Sequence, residues 1–137
     1  MWMYNNEPII EINPKYIAFV YMITNLTDGR KYIGKKLTKF SRTKMVKGKK
    51  KRVQVDSDWQ TYWSSSDELK KDVSELGEHN FKREILHFCI SKGEASYIEA
   101  AEQFKQNALL DNSFYNGIIN CKIHKTHVKN LWINPPE

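Results

Sequence analysis

Cysteine is scarce in this chain: only Cys89 and Cys121 occur, far apart and in no Cys-x-x-Cys pair. A disulfide-stapled scaffold is thereby excluded, and reduced thiols in a cytoplasmic protein are the expectation. Long apolar runs are missing as well. No stretch approaches the ~20 residues that a membrane span requires. The start, Met-Trp-Met-Tyr-Asn-Asn-Glu-Pro, has neither a basic opening nor an apolar run after it, so no secretory signal is read there. Internal repeats are absent. The most informative absence is local: residues 29–55 contain no aspartate or glutamate.

That stretch holds twelve of the 22 lysines and arginines, whereas the remainder carries ten basic against sixteen acidic residues. A segment of charge +12 thus sits in a background of −6. Such concentration points to a polyanion partner, the alternative being a solvated lysine loop. The 137 residues include seven Tyr, six Phe and four Trp, enough to build the core of one domain.

Residues 17–24, Ile-Ala-Phe-Val-Tyr-Met-Ile-Thr, read as a strand. Phe19, Tyr21 and Ile23 occupy one face, and Ala18, Val20 and Met22 the other. Apolar side chains on both faces predict a central position in a sheet. Asp28-Gly29 supplies the positive φ of a tight turn, and residues 30–33 return as a second strand ended by Gly34. Before this hairpin, residues 1–16 read as an irregular arm with an edge strand at 9–12. After it, residues 35–43 are expected to form a short helix with Leu37 and Phe40 inward. Lys47–Arg52 are expected to form a mobile loop, because like charges repel.

Ser65 with Glu68 fits a capping box that opens a helix ending at Gly77. Residues 81–90 read as a third strand. Ser91 with Glu94 opens a last helix to about Leu109, with Tyr97, Ala101, Phe104 and Ala108 as its apolar stripe. Residues 117–123 are either a last strand or a loop on the core. The predicted fold is an α/β sandwich in the order β-β-α-α-β-α, with a small, mainly antiparallel central sheet flanked by helices. Its boundaries are an arm over 1–16, a domain over 17–123 with a lysine-rich insert at 35–55, and a tail over 124–137.

Tyr21 and Tyr32 fall on the paired strands, with Lys31, Lys35 and Lys36 close by. A phenol, with a pKa near ~10 when free, takes a proton at neutral pH only if that value is lowered, which neighbouring cations do. Hydrolysis of a phosphodiester needs an activated water, stabilised phosphoryl oxygens, a stabilised leaving oxygen and an in-line geometry. The residues do not say which phenol would serve. On type alone, both tyrosines are as well explained by packing of the hairpin.

The spacing Phe19-Val20-Tyr21, ten residues, then Tyr32-Ile33-Gly34 resembles the GIY-YIG nuclease family, named for two such signatures. The second signature is intact. In the first, Phe19 and Val20 replace the usual Gly and Ile, and the tyrosine is kept. Further matches are Arg42, eight residues after Gly34, Glu102 in Glu-Ala-Ala-Glu-Gln-Phe, and Tyr115-Asn116. The resemblance extends over roughly residues 17–120 and is nearest to small phage-encoded homing-type members with lysine-rich inserts.

The resemblance implies a DNA endonuclease that uses one divalent metal, Mg2+ or Mn2+. Tyr21 would activate or orient water, alone or through Tyr32, and Arg42 would stabilise phosphoryl charge. Glu102 would hold the metal and Asn116 would orient the site. Lys35 and Lys36 would contact phosphate, and Lys47, Lys49, Lys50, Lys51 and Arg52 would grip double-stranded DNA. Arg52 competes with Arg42 for the arginine role, and Glu99 competes with Glu102 for the metal. Dimerisation is also implied. With only a short tail after the Tyr-Asn element, target choice is expected from the insert, the termini or a second subunit. A restriction-like or structure-specific nuclease is the alternative within the family, and a non-catalytic nucleic-acid-binding module the alternative outside it. Trp59, Tyr62 and Trp63 are expected in the core rather than stacked on bases. Cys121, His124 and His127 lack the fourth ligand and the spacing of a zinc site.

Overall fold

The computed structural model describes residues 1–132. Its first strands are β1 (Trp2–Tyr4) and β2 (Glu7–Pro8), joined through Asn5 and Asn6 at positive φ. The tyrosine hairpin follows as β3 (Ala18–Asn25) and β4 (Lys31–Leu37). A second hairpin is formed by β5 (Lys39–Val46) and β6 (Lys49–Asp56). Then come α1 (Asp67–Leu76), β7 (Phe81–Cys89) and α2 (Lys92–Lys105). Five strands make one mixed sheet in the order β2-β1-β7-β3-β4, and β5-β6 stands apart as a two-stranded ribbon. All pairings are antiparallel except β1 with β7.

The two apolar faces of β3 do what their alternation predicts. Phe19, Tyr21 and Ile23 join Trp2, Trp59, Leu69, Val73 and Ile85 in a core beneath α1. Ala18 and Val20 join Ile33, Cys89, Ala95 and Ile98 in a second core beneath α2. Helices therefore cover both faces of the sheet. The sequence-derived class, a small central sheet flanked by helices, is the observed one.

Several local expectations change. The arm is part of the sheet: Trp2 is 1% exposed, and its indole N–H donates to the Trp59 carbonyl at 2.7 Å. The edge strand is at Glu7–Pro8, not at residues 9–12. Residues 35–43 are extended rather than helical, and Lys47–Arg52 are a turn and a strand rather than a loop. The pattern behind this is period two: Phe40, Val46, Val53 and Val55 are half-buried on one side of the ribbon. Lys47 and Gly48, both at positive φ, close it with the turn geometry that suits twisted strands. Charge repulsion did not prevent pairing because each lysine head reaches into water.

The first long helix is capped by Ser66, whose hydroxyl accepts from the Leu69 amide, not by Ser65. Ser91 caps α2 as expected. The buried face of α2 is Glu94, Ala95, Ile98, Ala100 and Gln103, whereas Tyr97, Ala101 and Phe104 lie toward solvent. Polar anchors cause the rotation. The Glu94 carboxylate accepts from the Ile90 amide, and the Gln103 amide donates to the Ile33 carbonyl. Residues 117–123 form no strand.

Candidate active site

The pairing of β3 with β4 places Tyr21 opposite Gly34. A Cβ at position 34 would lie 2.5 Å from the Tyr21 hydroxyl oxygen, 2.7 Å from Cζ and 2.9 Å from a Tyr32 ring carbon. The glycine is thus the gap through which the phenol of a central strand passes over β4, the edge of the sheet. The ring centroids of Tyr21 and Tyr32 are 6.2 Å apart.

Beyond Gly34 lies a cleft of about 260 Å³ lined by Tyr21, Tyr32, Lys35, Ser65, Glu99, Gln103 and Asn116, with residues 117, 118 and 120. A cleft of about 710 Å³ beside α1 is larger, so size does not single this one out. Its chemistry does: two phenols, a half-buried carboxylate and an ammonium converge.

Glu99 enters from α2, and its carboxylate lies 3.7 Å from the Lys35 ammonium. Burial pushes the Glu99 carboxyl pKa up, and Lys35 only partly offsets this. The Lys35 ammonium also donates to the Ser96 hydroxyl at 2.8 Å. Gln103, one helical turn after Glu99, donates to the Ile33 carbonyl, while its own buried side-chain oxygen has no hydrogen-bond partner among the described residues. Asn116 grips Ile33 twice, accepting from its amide at 3.0 Å and donating to its carbonyl at 2.8 Å. The segment before it runs along β4: the Tyr115 amide donates to the Lys31 carbonyl at 2.7 Å. Asn116 therefore fixes the edge strand that carries Tyr32, Gly34 and Lys35.

The Tyr32 hydroxyl shares a 3.0 Å hydrogen bond with Ser65. Tyr21 is 1% exposed, and its pKa stands well above the ordinary value of 10.0. Burial is the main cause, with Tyr62, Tyr32 and Glu99 adding to it. The expected lowering by lysines does not occur. Lys35 is engaged by Glu99 and Ser96, and Lys36, on the same face of the sheet as Tyr21, is engaged by Asp58 at 2.6 Å and lies 4.0 Å above the Tyr62 ring. Tyr32 is also shifted upward, first by burial.

Two predicted residues are not brought to the cleft. Glu102 lies three positions after Glu99, which turns its side chain about 60° around the helix. It faces β7, 3.6 Å from His87, and accepts from Gln106 at 3.0 Å. Arg42 is exposed on β5 opposite Val53. Lys47, Lys49, Lys50, Lys51 and Arg52 are exposed on the same ribbon. Tyr21, Tyr32, Lys35 and Asn116 do meet, joined by Glu99. Gln103 and Ser65 were not anticipated as site residues. The i, i+4 relation of Gln103 to Glu99 was the available signal.

Among the described residues no three His, Cys, Asp or Glu side chains cluster as a metal cage. A divalent cation held by one carboxylate and several waters is the arrangement these residues do fit, and it is the habit of magnesium. A nearby positive charge would answer both a carboxylate raised by burial and the unpartnered Gln103 oxygen.

Comparison with known proteins shows the family. Residues 2–119 match the family model described as "Putative endonuclease segE, GIY-YIG domain". The chain is 32% identical over 98 residues to "Putative endonuclease segD" of Enterobacteria phage T4. The match takes in 72% of this chain and 32% of that protein, so the chain spans about a third of the length of the relative it matches. No solved structure matches. The family match begins at Trp2 and ends after Asn116, so it encloses β1, the ribbon and Tyr21, Tyr32, Lys35, Ser65, Glu99, Gln103 and Asn116 of the cleft. The chain belongs to the GIY-YIG endonuclease-domain family represented by segE.

Proposed function

We propose that the protein is a DNA endonuclease that hydrolyses phosphodiester bonds at the Gly34 cleft with one divalent metal ion, Mg2+ or Mn2+, held by Glu99. The carrying observation is the Tyr21 phenol laid across Gly34 into the cleft that holds a half-buried Glu99. The ion, when bound, would neutralise charge on the phosphate oxygens and oppose the upward push of burial on the phenol.

The chain's own groups divide the remaining work. Lys35 contacts a phosphate oxygen once substrate competes with Glu99 for its ammonium. Tyr32 and Ser65 hold each other and border the attacking side. At rest Tyr21 keeps its proton. To accept the proton of the attacking water it must first ionise, so cleavage should speed up with rising pH. Asn116 and Gln103 keep β4 in place through Ile33, as positioning residues. Arg42 acts on the ribbon, outside the cleft.

Homing-type cutting as a phage-type endonuclease is our reading of its biological role; a restriction-like or structure-specific role on the same site is the alternative. A non-catalytic DNA-binding module is the reading from another class. It gains nothing from a buried carboxylate that repels phosphate when no cation is bound. Plasmid cleavage in magnesium tests the proposal. Glu99→Gln should abolish cutting and retain DNA binding, and full cleavage by that variant would sink the assignment.

A further inference from the structure

The ribbon has a chemically divided pair of faces that gripping phosphate does not require. Because opposed residues of an antiparallel pair share a face, the register separates two sets. One face carries Phe40, Val46, Val53 and Val55, interleaved with Arg42, Lys44, Lys49 and Lys51. The other carries Ser41 opposite Gln54, Thr43 opposite Arg52, and Met45 opposite Lys50. All six of these are exposed. Among the described residues, the side chains of Ser41, Thr43, Arg52 and Gln54 have no hydrogen-bond or ion-pair partner.

The base of the ribbon is anchored. Thr38, 2% exposed, donates through its hydroxyl to the Tyr16 carbonyl at 2.9 Å and through its amide to Ile17 at 2.8 Å. The Ser57 amide donates to the Thr38 carbonyl at 2.9 Å, and its hydroxyl to Leu37 at 2.6 Å. Only Thr38 separates β5 from β4, so the ribbon leaves the same strand that carries Gly34 and Lys35. Each ribbon strand has eight residues, a length of roughly 27 Å at ~3.4 Å per residue. A major groove about 12 Å wide admits a two-stranded ribbon.

We propose that β5–β6 enters the major groove of duplex DNA with Ser41, Thr43, Arg52 and Gln54 turned to the base edges. The lysines of the tip and of the opposite face reach the flanking phosphates. Arginine pairs with guanine and glutamine with adenine through two hydrogen bonds each, and serine and threonine accept or donate as required. The lysines provide affinity without reading sequence. The ribbon would thus supply the target choice of the nuclease proposed above, and the inference rests on that reading.

The test selects duplexes from a library with a randomised core, using the metal-free full chain, and measures plasmid cleavage in magnesium in parallel. The unaltered protein should enrich a preferred sequence. Arg52→Ala and Gln54→Ala should each lose roughly ten- to a hundredfold of preference at one or two positions. Lys44→Ala should weaken binding to all sequences evenly and lower the log–log salt slope by about one. Arg52→Ala and Gln54→Ala proteins that keep the full preference, or an unaltered protein that binds all sequences alike, would overturn the ribbon proposal while cleavage leaves the nuclease standing. Absence of both binding and cleavage by the unaltered protein would overturn the two together.

Discussion

Two hairpins follow one another in this chain, separated by Thr38 alone, and they are opposites in environment. In β3–β4 the working side chain, Tyr21, is almost wholly buried, and its ionisation is opposed by burial. In β5–β6 most side chains point into water, its arginines and most of its lysines among them. The same backbone pattern thus yields a site where a proton's energy can be tuned and a surface where fixed charge is displayed. Chemistry needs the first, and attraction of a polyanion needs only the second.

The sharpest way to break the comparison is at Glu99. Glu99→Gln should reduce cleavage by at least roughly a thousandfold, and Glu102→Gln should stay within a few-fold, measured as single-turnover rates. The same Glu99→Gln change should raise Tm at neutral pH. A carboxyl whose folded pKa is raised loses stabilisation as pH climbs past 4.5, and the amide removes that loss. A drop in both activity and Tm would mean that Glu99 is structural.

Tyr21→Phe should cost about 10²- to 10⁴-fold in rate, and the rate of the unaltered enzyme should rise close to tenfold per pH unit through the neutral range. The sign for stability is separate. With its folded pKa above 10.0, Tyr21 adds nothing below that pH and costs stability above it, as the unfolded chain ionises first. Alkaline unfolding above pH 10 should therefore be blunted in Tyr21→Phe, read by circular dichroism.

Gly34→Ala tests whether the gap over β4 is needed. Contacts of 2.5 and 2.7 Å to the phenol force Tyr21 to move, and the rate should fall roughly tenfold or more while the fold loses about 1–3 kcal/mol. Asn116→Ala leaves the Ile33 amide without its partner and the Ile33 carbonyl with Gln103 alone, and denaturant unfolding should record a loss of about 1–3 kcal/mol. The smallest effect belongs to the ribbon: Lys44 stands directly opposite Lys51, so Lys44→Ala should leave stability unchanged or raise it by about 0.2–1 kcal/mol.

Much of the sheet was legible in the sequence because its cues are local. Alternation in residues 18–23, Asp28-Gly29, the Ser91 cap and the Gly77 stop each act within a few residues. The ribbon is not legible in the sequence, where it reads as helix and loop, because its lysines outnumber the valines and phenylalanine that mark period two. Of the apolar stripe read on this helix only Ala108 is buried, because the side of α2 facing the sheet is held by Glu94 and Gln103, which a count of apolar residues passes over.

By itself, the sequence determined the tyrosine hairpin, the glycine opposite Tyr21 and the concentration of charge after it. Those depend on spacing along one or two adjoining strands. Only the tertiary structure decided which carboxylate faces the tyrosines, where Arg42 goes, and the direction in which the Tyr21 phenol is shifted. The first depends on how α2 is rotated against the sheet, which hydrogen bonds to Ile33 and Ile90 fix. The second depends on β4 continuing, past Thr38, into another strand. The third depends on burial between Trp2, Phe19 and Tyr62, side chains that meet Tyr21 only once the chain has folded.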